Sequence, residues 1–485
     1  MKRYFIILFV SFVISTIFVL TKSLSTSPLF NYVFLDSGIY QYIGFALVHG
    51  KIPYTEIFEH KGIMIYWINA IGYWIHPRYG IAFLQIINLS LVLTVWYKML
   101  SGFNLPVLRF FILAISLLGI CVYTEEGNLT EEWAFLFISI PMMLWLESRK
   151  RTTQEFNKWS MFVIGLCIGA LFISRINNGA SVIAMLLCCL IEALWLRKFD
   201  YIRRSMVWFS TGFVILPIVA CCYMYILNGI NGIDDMLYGT IGFNLDYVKN
   251  DSFVGFVLWK DPKSTGVALL PIIFLFPMLR KNNREAWFIF FFFVFTALSI
   301  GSKIYPHYFI VFVPLLVVSF AYISCSRIRF MAIPTITILY GLLTIHEIHI
   351  NFSDVDGPSE SFLQVTKSIP DSKRTEIWNM GGALLARDFM KAGIVQKNRI
   401  LLPSQLSISK RLYEEENGKI RKVRPEYVIF ATCTSDFFRN LLRYSMQNNY
   451  QESDADYQFV QSNYKLISSA TCKNGTQLFC YQLIQ

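Results

Sequence analysis

The chain has 485 residues, of which 55% are hydrophobic, 16% aromatic and only 15% charged. That balance is too apolar for one soluble core and reads as a polytopic membrane protein. The net charge of +11 does not point to nucleic acid, because Lys and Arg cluster in the short loops between apolar runs, the pattern of a cytoplasmic face.

Met1-Lys2-Arg3 precedes an apolar helix expected at 4–20. No small-x-small cleavage site closes that run, so it is expected to stay as an anchor with a cytoplasmic amino terminus. Residues 21–77 then lie outside. Within them, 36–48 has helical spacing with Ile39, Tyr42, Ile43, Ala46 and Leu47 on one face, which predicts a helix lying on the membrane surface. A shorter apolar segment at 62–75 is expected to be interfacial.

Further spans are expected at 80–96, 107–123, 132–146, 159–173, 180–196, 206–227, 265–279, 287–300, 309–324 and 330–346. Each run is long enough, or nearly so, for a hydrocarbon layer about 30 Å thick. With the first helix they make about eleven transmembrane helices. The clusters Lys98 with Arg109, Arg149-Lys150-Arg151 with Lys158, Arg197-Lys198 with Arg203-Arg204, Arg280-Lys281 with Arg284, and Arg327 with Arg329 all fall on one side of that count. The expected location is the cytoplasmic (inner) membrane, with the acidic loops outside.

Past residue 346 the composition turns to mixed charge and polar residues, so two domains are expected, 1–346 in the membrane and 347–485 as a soluble extracytoplasmic α/β domain. Strands are expected at 375–380, 399–402 and 427–431, helices at 383–392 and 436–448, and a hairpin about Asn474-Gly475, a dipeptide suited to positive φ. Cys472 and Cys480 are the candidate pair for a disulfide across that hairpin. Seven other cysteines lie in or near spans, where a thiol is a small apolar group.

The chemistry gathers on the outer face. Asp36 can cap a helix, and at the membrane boundary it can also serve as a base that deprotonates an acceptor. Glu59-His60-Lys61-Gly62 stands where the chain returns to the membrane. Lys61 can snorkel as an interfacial anchor or pair with a lipid phosphate as a point charge at headgroup level. Glu131 and Glu132 begin a span, a place the helix dipole favours; one of them can orient an acceptor or hold a cation. Arg175 beside Asn177-Asn178 is an outward arginine against the prevailing charge pattern, suited to a phosphate or sugar. Lys303, His307 and Tyr308 belong to a tight outer loop that can hold a phosphate leaving group.

The order of Asp36, then Glu59-His60-Lys61-Gly62 running into Tyr66-Trp67-Ile68-Asn69-Ala70-Ile71-Gly72, resembles the membrane glycosyltransferases of the C superfamily. The likeness is to the bacterial branch related to protein O-mannosyltransferases and the lipid A aminoarabinose transferase. It extends through 127–133 and, in architecture, to Tyr308. The resemblance implies an inverting enzyme that moves a sugar from a polyprenyl-phosphate donor to a glycan, lipid or protein acceptor outside the membrane. It implies Asp36 as the catalytic base, with Glu131 or Glu132 near the second acidic position. It implies Lys61 as the donor-phosphate lysine, with His307 and Tyr308 facing the same phosphate; Arg175 and Lys303 are added as donor-phosphate candidates on their own chemistry, and Tyr40, Glu59, His60, Asn177 and Asn178 are candidate substrate-binding residues. Prolines that follow the loop lysine in the related pattern are replaced here by Gly62-Ile63-Met64.

Phosphate is already a good leaving group, so no metal or other cofactor is expected. A transporter would call for paired half-sequences and broken helices at the midplane, which the sequence lacks. A non-catalytic glycan-binding scaffold would not need Asp36 and Lys61 together.

Overall fold

The structure is a computed structural model. It describes residues 2–30, 35–103, 106–124, 127–249, 272–273, 275–276, 278–279, 283–300, 306–323, 334–335, 338–339, 341–342, 359–402, 404–432, 455–472 and 477–484. The main helices are α1 (Lys2–Lys22), α2 (Leu35–Val48), α3 (Ile63–Ile75), α4 (Gly80–Met99), α5 (Pro106–Tyr123), α6 (Thr130–Arg149), α7 (Lys158–Phe172), α8 (Ala180–Trp195), α9 (Phe199–Leu237), α10 (Phe243–Lys249), α11 (Arg284–Ile300) and α12 (Val313–Ile323).

Among the described residues four stretches are long and apolar enough to cross a membrane: Phe5–Lys22, Gly80–Gly102, Ile176–Trp195 and Phe199–Tyr247. Shorter apolar helices at Pro106–Cys121, Lys158–Phe172 and His307–Ile323 cover three of the other expected spans. The span expected at 206–227 lies within the longer α9, which is broken by non-helical backbone at Asn228 and Gly229. Most of 265–279 and 330–346 lies outside the described residues.

Contacts group the residues into two compact units that do not follow a single cut at residue 346. One comprises Met1–Tyr32, Arg78–Cys222 and Ser252–Ser353; the other comprises Val33–Pro77, Tyr223–Asp251 and Asp354–Gln485.

The first unit is a helical bundle whose core includes the fully buried Trp96 and Trp145. Trp96 sits in apolar surroundings because its indole N–H donates to Ser139 Oγ at 2.7 Å, which removes the penalty of an unmet donor. At one end of the bundle Glu192 of α8 accepts from Arg149 of α6 at 2.6 Å and meets Arg284 of α11 at 2.5 Å. One carboxylate thus ties three helices. The α7–α9 crossing depends on small residues. A Cβ added to Gly165 would lie 2.1 Å from the Phe209 carbonyl oxygen, one added to Gly169 2.5 Å from that of Phe213, and one added to Gly212 2.0 Å from that of Phe162. Gly165 and Gly169 are four residues apart, the small-xxx-small spacing that lets helix backbones touch in lipid.

In the second unit α2 is a core helix. Every residue from Ser37 to Ala46 is buried, so the expected surface helix with a single apolar face is corrected to one covered all round. The cause is close packing on α3 and on the helix Ala386–Lys391. Gly44 allows it, since a Cβ there would meet the Asn69 backbone at 2.5 Å.

The same unit holds a four-stranded sheet of β1 (Ile377–Asn379), β2 (Tyr427–Thr432), β3 (Tyr464–Thr471) and β4 (Gln477–Leu483), in the order β1-β2-β4-β3. β1 and β2 are parallel and the other pairs antiparallel. Residues 399–402 form no strand of this sheet; Ile400 makes an isolated bridge to Phe58 instead. The expected helix at 383–392 forms as a 3-10 turn, Gly382–Leu385, followed by Ala386–Lys391. The helix expected at 436–448 and the Asn474-Gly475 turn lie outside the described residues. Cys472 and Cys480 are free thiols. The register explains this: Thr471 faces Gln477, whereas Cys480 faces Ser468 and Ile429.

Gly165→Ile forces α7 and α9 apart and is expected to lower stability by about 1–3 kcal/mol, the usual cost of overpacking. The check is the thermal midpoint of the purified protein in detergent, where an unchanged midpoint contradicts the backbone contact.

Candidate active site

The loop between α2 and α3 is tied down residue by residue. Tyr54 has φ of 63°, a left-handed conformation uncommon for a bulky side chain, yet it is fully buried. Its N–H donates to the Ile57 carbonyl at 2.7 Å and its hydroxyl donates to the Lys61 carbonyl at 2.8 Å. Arg399 accounts for the fixed carbonyl of the same residue: its Nε donates to Tyr54 O at 2.7 Å. Phe58 N–H donates to the Arg399 carbonyl at 2.8 Å, and Thr55 Oγ1 donates to Asp235 Oδ2 at 2.8 Å.

This scaffold presents Glu59, His60 and Lys61. Glu59 is only 3% exposed. Its Oε2 accepts from the Lys61 N–H and from the Tyr66 hydroxyl, both at 2.8 Å. Its Oε1 lies 2.7 Å from His60 Nδ1 and 4.0 Å from Lys61 Nζ. His60 Nε2 lies 2.9 Å from Lys61 Nζ. Two rings of α10 flank the imidazole, Phe243 with a centroid separation of 5.2 Å and Tyr247 stacked at 5.9 Å. Asn244 Nδ2 donates to the His60 carbonyl at 3.0 Å.

Burial by itself would raise the Glu59 carboxyl. The positive charge around His60 and Lys61, with the hydrogen bonds from both, outweighs it and holds the group well below its ordinary range. At His60 burial dominates and pushes the imidazole below its ordinary value, against the pull of Glu59. Near neutral pH Glu59 is therefore ionised, its carboxylate balanced by the His60 and Lys61 side chains.

Asp36 is the second residue of α2 and half-buried, inside the first turn, where the helix dipole favours a carboxylate. The Tyr40 hydroxyl lies 3.5 Å from Asp36 Oδ2. The Asp36 charge acts on His60, so Asp36, Tyr40, Glu59, His60 and Lys61 share one neighbourhood of the second unit.

The remaining candidates are in the first unit. Gly127 and Asn128 take positive φ of 85° and 62°, turning the chain so that Glu132 Oε2 accepts from Asn128 N–H at 3.0 Å and from Gln85 Nε2 at 3.2 Å. Trp133 Nε1 donates to Asn128 Oδ1 at 3.0 Å. Glu132 Oε1 is buried without a hydrogen-bond partner beside a small cavity whose lining includes Ser23, Asn88 and Thr124. Glu131 is 2% exposed; it is ion-paired with Arg175 and accepts from Thr130 Oγ1 at 2.9 Å. The Arg175 guanidinium lies over the Tyr308 ring, 4.2 Å from its centroid, and His307 packs edge-on against Tyr308 at 4.7 Å. Asn177 is exposed and Asn178 is buried. Lys303 lies outside the described residues. No three His, Cys, Asp or Glu side chains are grouped to hold a metal ion among the described residues.

Tyr54, Asp235, Asn244 and Arg399 were not singled out as site residues from the sequence, and Tyr66 entered only as part of the run to Gly72. Tyr66 carried the one local signal, a hydroxyl one helical turn past a Glu-His-Lys run.

No protein-family model and no curated protein matches the sequence. Solved structures do. The crystal structure of ArnT from Cupriavidus metallidurans in the apo state aligns with TM-score 0.61 and 13% identity over 97% of this chain and 97% of that one. The chain has the ArnT fold. ArnT from the same organism bound to undecaprenyl phosphate aligns with TM-score 0.59 and 12% identity, again over 97% of both chains. An Archaeoglobus fulgidus oligosaccharyltransferase, in complex with zinc and sulfate, gives TM-score 0.46 and 11% identity over 98% of this chain and 73% of its own; at that score it adds nothing to the assignment. The ArnT match makes this chain a polytopic helical membrane protein with a carboxyl-terminal domain, and the C-superfamily resemblance read from residues 36–72 and 127–133 holds at the level of fold.

Because both Glu59 and His60 titrate below their ordinary values, their contribution to stability is present at neutral pH and lost on acidification. It begins to fall below about pH 6.5, as the unfolded histidine takes up a proton, and falls again below about pH 4.3 for the glutamate. Glu59→Gln is expected to cost roughly 3–5 kcal/mol at pH 7 by leaving a buried charge uncompensated, and to flatten the acidic limb. Thermal midpoints measured from pH 8 to pH 4 check both statements.

Proposed function

We propose that this protein is an inverting glycosyltransferase that takes a sugar from a polyprenyl-phosphate donor and transfers it to an acceptor on the outer face of the cytoplasmic membrane. The observation that carries the reading is the alignment over 97% of both chains with ArnT bound to undecaprenyl phosphate. The cluster in the second unit supports it chemically, since it combines a half-buried carboxylate with a lysine whose ammonium is held by neighbouring side chains.

In the proposed reaction an acceptor hydroxyl or amine attacks the anomeric carbon. The bond between that carbon and the phosphate oxygen breaks with inversion, and Asp36 takes the acceptor's proton. The departing polyprenyl phosphate carries the electron pair of the broken bond, and the Lys61 ammonium offsets its charge. Tyr40 steadies Asp36 through its hydroxyl. In the first unit Glu131 and Arg175 act as a pair: the arginine is held by the carboxylate and by Tyr308, so a phosphate drawn to it competes with Glu131. Within that unit Glu132, with one unmet oxygen, is set apart from the paired Glu131.

Sugar transfer from a panel of polyprenyl-phosphate sugars, assayed with purified protein in liposomes, tests the reading. Asp36→Asn is expected to lower kcat by about 10²–10⁴-fold with the donor still bound. Lys61→Ala is expected to raise the donor KM. Wild-type rates in both variants reject the two roles, and a wild type that consumes no donor in the panel rejects the function.

A further inference from the structure

Sugar transfer needs a base on α2 and a lysine on the loop after it held at a fixed spacing, and the carboxyl-terminal residues fall in the same compact unit as both. Residues 396–400 meet the two in turn. At one end Gln396 N–H donates to the Tyr42 hydroxyl at 2.7 Å, and Tyr42 is a fully buried residue of α2, the helix that carries Asp36. At the other end the Arg399 carbonyl accepts from Phe58 N–H at 2.8 Å, directly before Glu59-His60-Lys61, and Arg399 Nε holds the Tyr54 carbonyl at 2.7 Å.

The segment is also held from behind, by the sheet. Lys397 N–H donates to the Ile377 carbonyl of β1 at 2.8 Å. Asn379, the last residue of β1, donates from Nδ2 to Gln396 Oε1 at 2.9 Å and from its N–H to Asn398 Oδ1 at 2.8 Å, and Asn398 Nδ2 returns a bond to the Asn379 carbonyl at 3.1 Å. Among the side chains of Tyr42, Asn379, Gln396 and Asn398 only Asn379 Oδ1 is left buried without a partner. Gln396 and Asn379 are 1% and 2% exposed, and a donor freed in such an interior costs its full desolvation penalty. These bonds therefore hold one arrangement.

Resting on the reading of Asp36 as base and Lys61 as phosphate lysine, we propose that residues 396–400 are a brace between the two and that Tyr42 is a positioning residue for Asp36: through its hydroxyl the carboxyl-terminal sheet sets where α2 stands relative to the Lys61 loop. The carboxyl-terminal residues thereby belong to the active centre without touching the reacting atoms. A base misplaced by about 1 Å costs on the order of 10²-fold in rate, so the brace acts on kcat. Tyr42→Phe cuts the link to α2 and leaves both loop contacts of Arg399 intact. The two effects then separate, with transfer slowed and donor binding kept.

The test uses the full-length protein in liposomes, with the polyprenyl-phosphate sugar that the wild type consumes for transfer and undecaprenyl phosphate as the binding probe. Tyr42→Phe is expected to lower kcat about tenfold, with the donor KM and undecaprenyl phosphate binding little changed. Phe389→Leu is the packing control: it trims the edge-on contact with the Tyr42 ring, 6.3 Å between centroids, leaves the hydrogen bond in place, and is expected to lower the thermal midpoint while kcat stays at the wild-type value. Should Tyr42→Phe not fold, Gln396→Met loosens the brace at the sheet, keeps the Gln396 backbone N–H, and is read by the same separation of kcat from KM. A Tyr42→Phe protein with wild-type kcat overturns the proposal, as does one whose undecaprenyl phosphate binding falls as far as its kcat; either result leaves the donor and base readings standing. If Asp36→Asn transfers at the wild-type rate, the base reading falls and the positioning role with it.

Discussion

A single buried guanidinium organises the second unit. Arg399 is 8% exposed and meets Asp235, Glu415 and Glu416 at 3.7, 2.6 and 3.5 Å, while Nε holds the Tyr54 carbonyl and the group lies 5.5 Å from the Phe58 ring centroid. A buried charge is tolerated only when it is paired, and the three carboxylates do this for Arg399 although its Nη2 has no hydrogen-bond partner. Pairing Arg399 therefore requires the loop between α2 and α3, the end of α9 and the helix Lys410–Glu416 to be in place together. The loop that presents Glu59, His60 and Lys61 inherits its shape from that requirement.

The two charged clusters differ in how they are balanced. In the first unit Glu131 and Arg175 neutralise each other, with Tyr308 covering the guanidinium. In the second, Glu59 is shared among two backbone or hydroxyl donors and the His60 ring, and its nearest approach to the Lys61 ammonium is 4.0 Å.

How much was legible in the sequence follows from how far apart the partners are. The Glu59-His60-Lys61 run was visible because its members are adjacent, and most helices because a long apolar run in lipid has no alternative to helix. Arg399 was read only as the start of a strand, because its partner Tyr54 is 345 residues away and nothing local encodes that meeting. The α2 face was identified correctly at Ile39, Tyr42, Ile43 and Ala46, but a period of 3.6 reports one covered side and is silent about a second. The Asn474-Gly475 signal did mark two paired strands, yet the spacing of Cys472 and Cys480 could not reveal a register that faces Cys480 toward Ser468. Between Glu131 and Glu132 the sequence offered no choice; the structure separates them by partner, Arg175 for one and the Asn128 turn for the other.

Tyr54 joins two demands that oppose each other. Its backbone sits where glycine would be at ease and a tyrosine costs of order 1–3 kcal/mol, while its hydroxyl supplies the bond to the Lys61 carbonyl that glycine cannot make. Relaxing the backbone at this position and keeping the lysine's carbonyl anchored are mutually exclusive for the common amino acids. The loop is thus less stable than its length permits, and its conformation is selected by a contact seven residues downstream, not by local preference.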